Sequence, residues 1–487
     1  MNRCSASKPN DQASRRYQQK RIANWDLVAR NSDHWRWMGG FYHHQLIHYY
    51  TLMVPPGLRV IEIGCAGGDL LAALKPGEGV GVDFSEEMIR KASQRYPQHR
   101  FIKADAQELS LDEKFDIIVF SDLVNDLWDV QTVFERLQDL THSRTRLILN
   151  TYNRLWEIPL ALAQRLGLSN PKLDQNWLTV EDIANLFTLT GFNIIQHRQE
   201  ILCPVWIPFL SDLANRFLVK LWPFSCGALT HFIVARPVSI LQQNNPPEEP
   251  LVSVISPARN ESGNIPEIFE RSPEMGRGTE LIFVEGHSQD DTYEAIERTR
   301  AQFPGRRCQV LKQTGQGKGD AVRLGFGQAS GQILMILDAD LTVPPETLPR
   351  FFEALVSGKG EFVNGVRLIY PMEDQAMRFF NIVGNKFFSL AFTWLLGQPI
   401  KDTLCGTKVL WKEDYEQISA NRSFFGDFDP FGDFDLLFGA ARLNLKIVDL
   451  PVRYRERRYG TTNINRWSHG WLLLKMVWFA ARRIKFI

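Results

Sequence analysis

Two carboxylates one residue apart, Asp338 and Asp340, follow the uninterrupted apolar run 333–337. Carboxylate oxygens are hard ligands suited to Mg²⁺ or Mn²⁺, and a cation held that way can grip a diphosphate. An apolar run of this length predicts a strand buried on both faces, as in the middle of a parallel sheet. Open α/β sheets bind ligands beyond the carboxyl ends of their strands, so the acid pair stands where a ligand is expected. The plain alternative is a solvated strand end, a common place for Asp. Neighbouring segments favour the first reading. Strands predicted at 251–256 and 280–285 end in Pro257, Asn260 and Glu261 and in Glu285, and a Gly-rich stretch, 315–323, supplies Lys318 for a phosphate.

A second set of residues with chemistry lies upstream. Residues 58–71 read as strand, small-residue turn and helix start, with Glu62, Gly64, Ala66 and Gly68 at the turn. Small residues there let a backbone approach a ligand closely. Two further strands end in acids: Asp83, followed by Phe84, lies 19 residues past Gly64 and suits a ribose diol, and Asp105, followed by Ala106, suits an adenine amino group. A nicotinamide-binding turn needs G-x-G-x-x-G, which residues 64–69 lack. A fourth strand at 115–120 leads to Asp122, Asn125 and Asp126, acceptor-side candidates by position alone. Thr179 stands at the N-cap of an amphipathic helix closed by Gly191, and a late strand follows at 193–198.

The chain has 487 residues, enough for two or three domains. Its net charge of +1 gives no electrostatic case for nucleic acid. Six scattered cysteines with no CxxC pair predict reduced thiols and a cytosolic setting, with neither a disulfide framework nor a zinc site. Residues 1–20 are polar, read as a disordered lead-in and lack a secretory signal. His43, His44 and His48 sit at helical spacing, but no Cys or carboxylate follows at ligand spacing, so an aromatic helical face is expected there. Residues 201–222, rich in Pro, Trp and Phe, fit a substrate lid, a membrane-facing surface or simple core. Residues 236–250 are polar and Pro-rich and predict a spacer between two domains, 1–235 and 251–487.

The first set resembles the class I S-adenosylmethionine-dependent methyltransferases, over about residues 55–235. The resemblance implies a Rossmann-like fold with S-adenosylmethionine bound by Glu62 near its methionine end, by the turn 64–68, by Asp83 and Phe84 at the ribose, and by Asp105 and Ala106 at the adenine. Ala66 departs from the usual Gly. The second half resembles the family 2 glycosyltransferases of GT-A fold, and within them the polyprenyl-phosphate sugar transferases. That implies a nucleotide-diphospho-sugar donor held by Pro257, Asn260, Glu261, Glu285 and Lys318, and Mg²⁺ or Mn²⁺ on Asp338 and Asp340. The usual second acid of the V-D-D-G-S-x-D element is here Gly286. Guanidinium forks suit phosphate oxygens, so Arg367, Arg378 and Arg457 are the candidates for acceptor or donor phosphates. Cys405 stands in the turn that usually carries Ser.

The expected chemistry is inverting displacement at the sugar C1. A polyprenyl phosphate acceptor is already ionised and needs no base, whereas a glycan hydroxyl would, and Asp433 is then the candidate, with Asp429 and Asp435 beside it. From Pro451 onward there are nine Lys and Arg against one Glu. Residues 471–487 are too short and too charged to span a bilayer and fit a helix lying at its surface, or one packed on its own domain. A two-domain α/β fusion follows from these features, cytoplasmic and peripheral on the membrane face, with one activity's product held near the other.

Overall fold

In the computed structural model, residues 11–30, 36–166, 173–238, 249–367, 369, 379–421, 433–457, 459 and 466–486 are described. They form two compact units, Met1–Val238 and Ser239–Ile487. The first is built on strands β1 (Arg59–Ile63), β2 (Glu78–Asp83), β3 (Arg100–Lys103), β4 (Ile117–Phe120), β5 (Arg146–Tyr152), β6 (Phe192–Glu200) and β7 (Thr230–Pro237). Their order is β3-β2-β1-β4-β5-β7-β6. The neighbours from β3 to β5 are parallel, and β7 runs against both β5 and β6. Val60, Ile61, Ile118, Val119, Leu147 and Ile148 are fully buried, because helices cover both faces and leave no polar side to alternate with.

Local signals set the boundaries. Thr179 and Asp182 form a reciprocal capping box at the start of helix Val180–Thr190, and Gly191 ends it in the left-handed region at φ 78°. The expected disordered lead-in is overturned for residues 11–20, which belong to helix Asp11–Arg30. Distant partners tie that helix down: Tyr17 donates to the Asp126 carbonyl at 3.3 Å, and Arg21 to the same oxygen at 3.0 Å. Tyr17 and Arg21, one turn apart, also stack cation on ring at 3.7 Å.

The second unit carries β8 (Val252–Ala258), β9 (Thr279–Glu285), β10 (Arg307–Lys312), β11 (Ile333–Ile336), β12 (Phe362–Val366), β13 (Lys408–Trp411) and β14 (Ile447–Pro451). The order is β10-β9-β8-β11-β13-β12-β14, with β13 antiparallel to its two neighbours. Alternate residues feed two cores. Ile255, Ile282, Leu334 and Ile336 pack on one face, and Val254, Phe283, Ile333 and Met335 on the other. All four residues of β11 are buried, which places the following Asp338 at the centre of the sheet's carboxyl edge. Phe283 is fully buried and stacks on Phe269 with ring centres 5.0 Å apart. Phe283→Ala is expected to cost about 3–5 kcal/mol, seen as a lower urea midpoint for unfolding of this unit.

Candidate functional site

In the first unit, the turn after β1 places Gly64 and Gly68 at φ 78°, where a side chain would be strained. Ala66 accepts the same region at φ 43° and donates its N–H to Asp83 Oδ2 at 3.0 Å. Asp83 Oδ1 accepts from Ser85 N at 2.8 Å. Burial outweighs these two bonds and pushes the Asp83 carboxyl up to about 6. Glu62 is buried, its carboxyl lies well above the usual range through desolvation, and its Oε2 has no hydrogen-bond partner. A buried acid in that state would be ionised by a cationic ligand.

Gly64, Asp83, Phe84, Asp105 and Ala106 share the wall of one cavity, while Glu62, Ala66 and Gly68 build the turn behind it. Tyr17, Gln18 and Arg21 close another side, a contribution that no motif in the sequence announces. Gln18 donates to Asp105, whose other oxygen accepts from Gln107 N at 2.7 Å. The only local signal was the Tyr17–Arg21 spacing. Asp122 sits at φ 53°, with Tyr42 Oη at 2.9 Å and Asn150 Nδ2 at 2.5 Å. These residues fit S-adenosylmethionine: an acid with one unpartnered oxygen for its amino acid end, glycines at positive φ beneath it, and two strand-end acids for its nucleoside.

In the second unit, each acid of the central pair is held by a cation from elsewhere. Lys318, the first residue of helix Lys318–Gln328, lies 2.5 Å from Asp338 Oδ1. Desolvation works against the charged form of Asp338, yet Lys318, with Lys408 and Arg367 behind it, holds the carboxyl below its ordinary value. Arg457 Nη2 donates to Asp340 Oδ2 at 2.6 Å and Nη1 to Glu261 Oε1 at 3.1 Å. Asp340 Oδ1 caps its own turn by accepting from Thr342 N and Oγ1 at 3.1 and 2.8 Å. Glu261 also accepts from Asn264 Nδ2 at 2.7 Å, and burial still pushes its carboxyl up to about 7. Asn260, at φ 57°, accepts from Gln289 N at 2.7 Å, and Glu285 accepts from Ser288 N at 2.5 Å. Pro257 lies beside Val284 on the adjacent strand.

Two acceptor-side expectations change. Arg367 is not an open phosphate fork. It is buried and bidentate to Asp402, at 2.8 Å from Nε and 2.9 Å from Nη2. Cys405 is fully buried with its thiol pushed up to about 11, so its side chain meets core rather than ligand. Together they position a neighbour. Asp402 accepts from the N–H groups of Leu404 and Cys405 at 2.9 and 3.2 Å, and the buried Lys408 donates to the Cys405 carbonyl at 2.5 Å. This frame presses Gly406 against the central pair, where a β-carbon would overlap both Asp338 Oδ2 and Lys318 Nζ. Arg378 and Asp429 lie outside the described residues. Asp433 begins helix Asp433–Arg442, and its side chain is outside them as well. Asp435, on the same helix, is buried.

Among the described residues no three His, Cys, Asp or Glu side chains form a metal cage. Asp338 and Asp340 supply hard oxygens of the right kind, and Mg²⁺ commonly binds through one or two carboxylates, with substrate phosphates and water completing its shell. The donor set therefore fits a cation that arrives with a diphosphate.

Two family models match the chain. Residues 55–195 match the family model "Methyltransferase domain", and residues 253–417 match "Glycosyl transferase family 2". The chain thus joins a methyltransferase domain to a family 2 glycosyltransferase domain. Among relatives of the second unit is the dolichol-phosphate mannosyltransferase of Saccharomyces cerevisiae, 43% identical over 109 residues, covering 21% of this chain and 40% of that protein. The enzyme of the same name from Pyrococcus furiosus is 31% identical over 220 residues, covering 44% and 59%. The undecaprenyl-phosphate 4-deoxy-4-formamido-L-arabinose transferase of Pseudomonas aeruginosa is 33% identical over 214 residues, covering 43% and 59%. The chain spans about two to three fifths of these relatives' lengths. Similar solved structures include glucosyl-3-phosphoglycerate synthase from Mycobacterium tuberculosis, at 21% identity and TM-score 0.37, covering 48% of this chain and 80% of that one. Another is a Thermotoga maritima methyltransferase, at 16% identity and TM-score 0.35, covering 44% and 98%.

Removing one partner of the Arg367–Asp402 pair strands a buried charge. Arg367→Ala is expected to destabilise the second unit by about 3–5 kcal/mol, measured by urea unfolding, where loss of a mere phosphate contact would leave stability unchanged.

Proposed function

We propose that the second unit transfers a sugar from a nucleotide-diphospho-sugar to a polyprenyl phosphate by inverting displacement, and that the first is an S-adenosylmethionine-dependent methyltransferase. The observation that carries the first claim is the salt-bridged state of the edge acids: Lys318 on Asp338 and Arg457 on Asp340. A divalent cation on the two acids would neutralise charge on the departing diphosphate. Lys318 and Arg457, released from the carboxylates, are then donors for phosphate oxygens. Gly406 lets the acceptor-side turn lie flat against that point. Pro257, Asn260, Glu261 and Glu285 line the neighbouring strand ends as the nucleotide's surroundings. The curated relatives named for dolichol and undecaprenyl phosphates favour a lipid phosphate over a glycan hydroxyl.

The C-terminal helix Arg466–Ala480 supports work near a membrane. Leu473, Met476 and Ala480 are buried, while Trp471, Leu474 and Trp478 face out alongside Lys475 and Arg482. That pattern suits a helix lying in the plane of an anionic bilayer surface. No described helix is long and apolar enough to cross a membrane.

Incubation with radiolabelled nucleotide sugars and polyprenyl phosphate is expected to move counts into the organic phase. Chelation of divalent cations or Asp340→Asn should lower that transfer at least ~100-fold, the scale for losing one stabiliser of developing negative charge. Counts that stay aqueous would reject the lipid acceptor. In the first unit, ribose hydroxyls donate to an ionised Asp83, and a protonated Asp83 accepts less well. Affinity for S-adenosylmethionine should therefore fall as pH drops through about 6. Titration calorimetry at several pH values should show that step, and Asp83→Asn should bind weakly and remove it.

A further inference from the structure

Residues 201–229 join the end of β6 to the start of β7. Tyr152, Thr230 and Glu200 are in register across β5, β7 and β6. The excursion therefore rises from the same carboxyl edge as Gly64, Asp83 and Asp122. Its interior is firmly stapled. Asn215 bonds both ways to the Cys203 backbone at 2.8 Å, Ser211 Oγ donates to the Ile207 carbonyl at 2.8 Å, and Lys220 pairs with the buried Glu200. From β5's end, Asn153 Nδ2 donates to the Cys226 and Ala228 carbonyls at 3.0 and 2.9 Å, and Trp156 Nε1 to the Gly227 carbonyl at 2.9 Å.

This frame holds apolar side chains outward. Trp206 is 66% exposed, Phe209 90% and Trp222 82%, with Ile207, Leu213 and Phe217 exposed among them. Phe209 sits at φ 62°, a conformation that costs energy for a bulky residue. Folded chains seldom leave so large an apolar patch in water without a use for it.

We propose that the methyltransferase unit docks on a lipid bilayer through residues 205–224. Three observations favour lipid over a protein partner. Side chains exposed by four fifths or more stand proud of the surface, and a bilayer takes up protruding apolar groups without needing a matching crevice. Protein interfaces carry a polar rim, whereas 205–224 holds only Asp212, Arg216 and Lys220 as charged residues, and Lys220 is buried. The pair of Trp residues has the amphipathic ring chemistry that settles at the membrane–water boundary.

The test uses the full chain carrying Trp471→Glu and Trp478→Glu, which silences the outward face of the C-terminal helix. It is sedimented with phosphatidylcholine vesicles at high salt, where residual charge attraction is screened. This protein is expected to bind. Adding Phe209→Glu and Trp222→Glu should lower its partitioning at least ~100-fold, about tenfold for each large side chain withdrawn. Phe209→Ser with Trp222→Ser, a gentler pair, should also weaken binding while leaving the melting temperature unchanged. Equal sedimentation before and after substitution overturns the proposal. So does vesicle-independent self-association that the substitutions abolish, since the patch would then cover a second copy. Failure of the polyprenyl-phosphate reading would show in the sugar-transfer assay and leave sedimentation untouched.

Discussion

The second unit depends on pairing the two central acids of its sheet edge with cations delivered from elsewhere in the chain. Lys318 reaches Asp338 from the start of a helix, and Arg457 reaches Asp340 and Glu261 from beyond the last strand. Burial makes a carboxylate in this cleft resist ionisation, and neighbouring acids add a smaller push, as the elevated Glu261 shows. The basic partners keep the cleft folded and charged. Under the proposed function they would also leave it ready for exchange, because a diphosphate and its cation would together bring one replacement for every charge they displace. A third pair, Arg367 with Asp402, lies deeper and has no such freedom. Its work is to hold the turn that carries Gly406.

The first unit meets a similar problem without cations. Asp83 is satisfied by two backbone N–H groups, and Glu62 keeps one buried oxygen unpartnered. Neutral donors stabilise a buried carboxylate less than a full charge does. Burial therefore outweighs those donors, and both acids sit above their usual range. The two domains thus hold their acids in different states: in one, cations of the chain pair with them, and in the other, one buried oxygen stays unpartnered.

Much of this was legible in the sequence because it depends on local rules. Unbroken apolar runs such as 333–337 gave buried strands, glycines marked turns at positive φ, and acids at strand ends fell on the carboxyl edges; the middle of a parallel sheet expected for 333–337 holds on one side only, since β11 is parallel to β8 and antiparallel to β13. The capping residues Thr179 and Gly191 bounded their helix as expected. What was not legible was which distant residue each charged group would meet. Arg367 looked like a free fork because nothing in its neighbourhood announces Asp402, 35 positions later. Cys405 looked like a ligand-facing turn residue, and its burial follows from packing under β12. Helix Asp11–Arg30 was hidden by its polarity, since its tethers lie about a hundred residues away. Gly406 carries no signal of its own. Its importance comes from the side chains that a β-carbon would strike.

The reversed direction of β7 has a consequence for how such a domain can change. Because β6 runs up to the ligand edge and β7 runs down from it, everything between them hangs off one rim as a closed excursion. Lengthening a loop anchored at both ends is inexpensive, roughly 0.6 kcal/mol for each doubling. The backbone ladder on either side takes no group from the excursion, although the buried Glu200 at the end of β6 draws its cation, Lys220, from it. A domain wound this way can acquire, trade or lose an appendage beside its candidate site while the sheet beneath keeps its register.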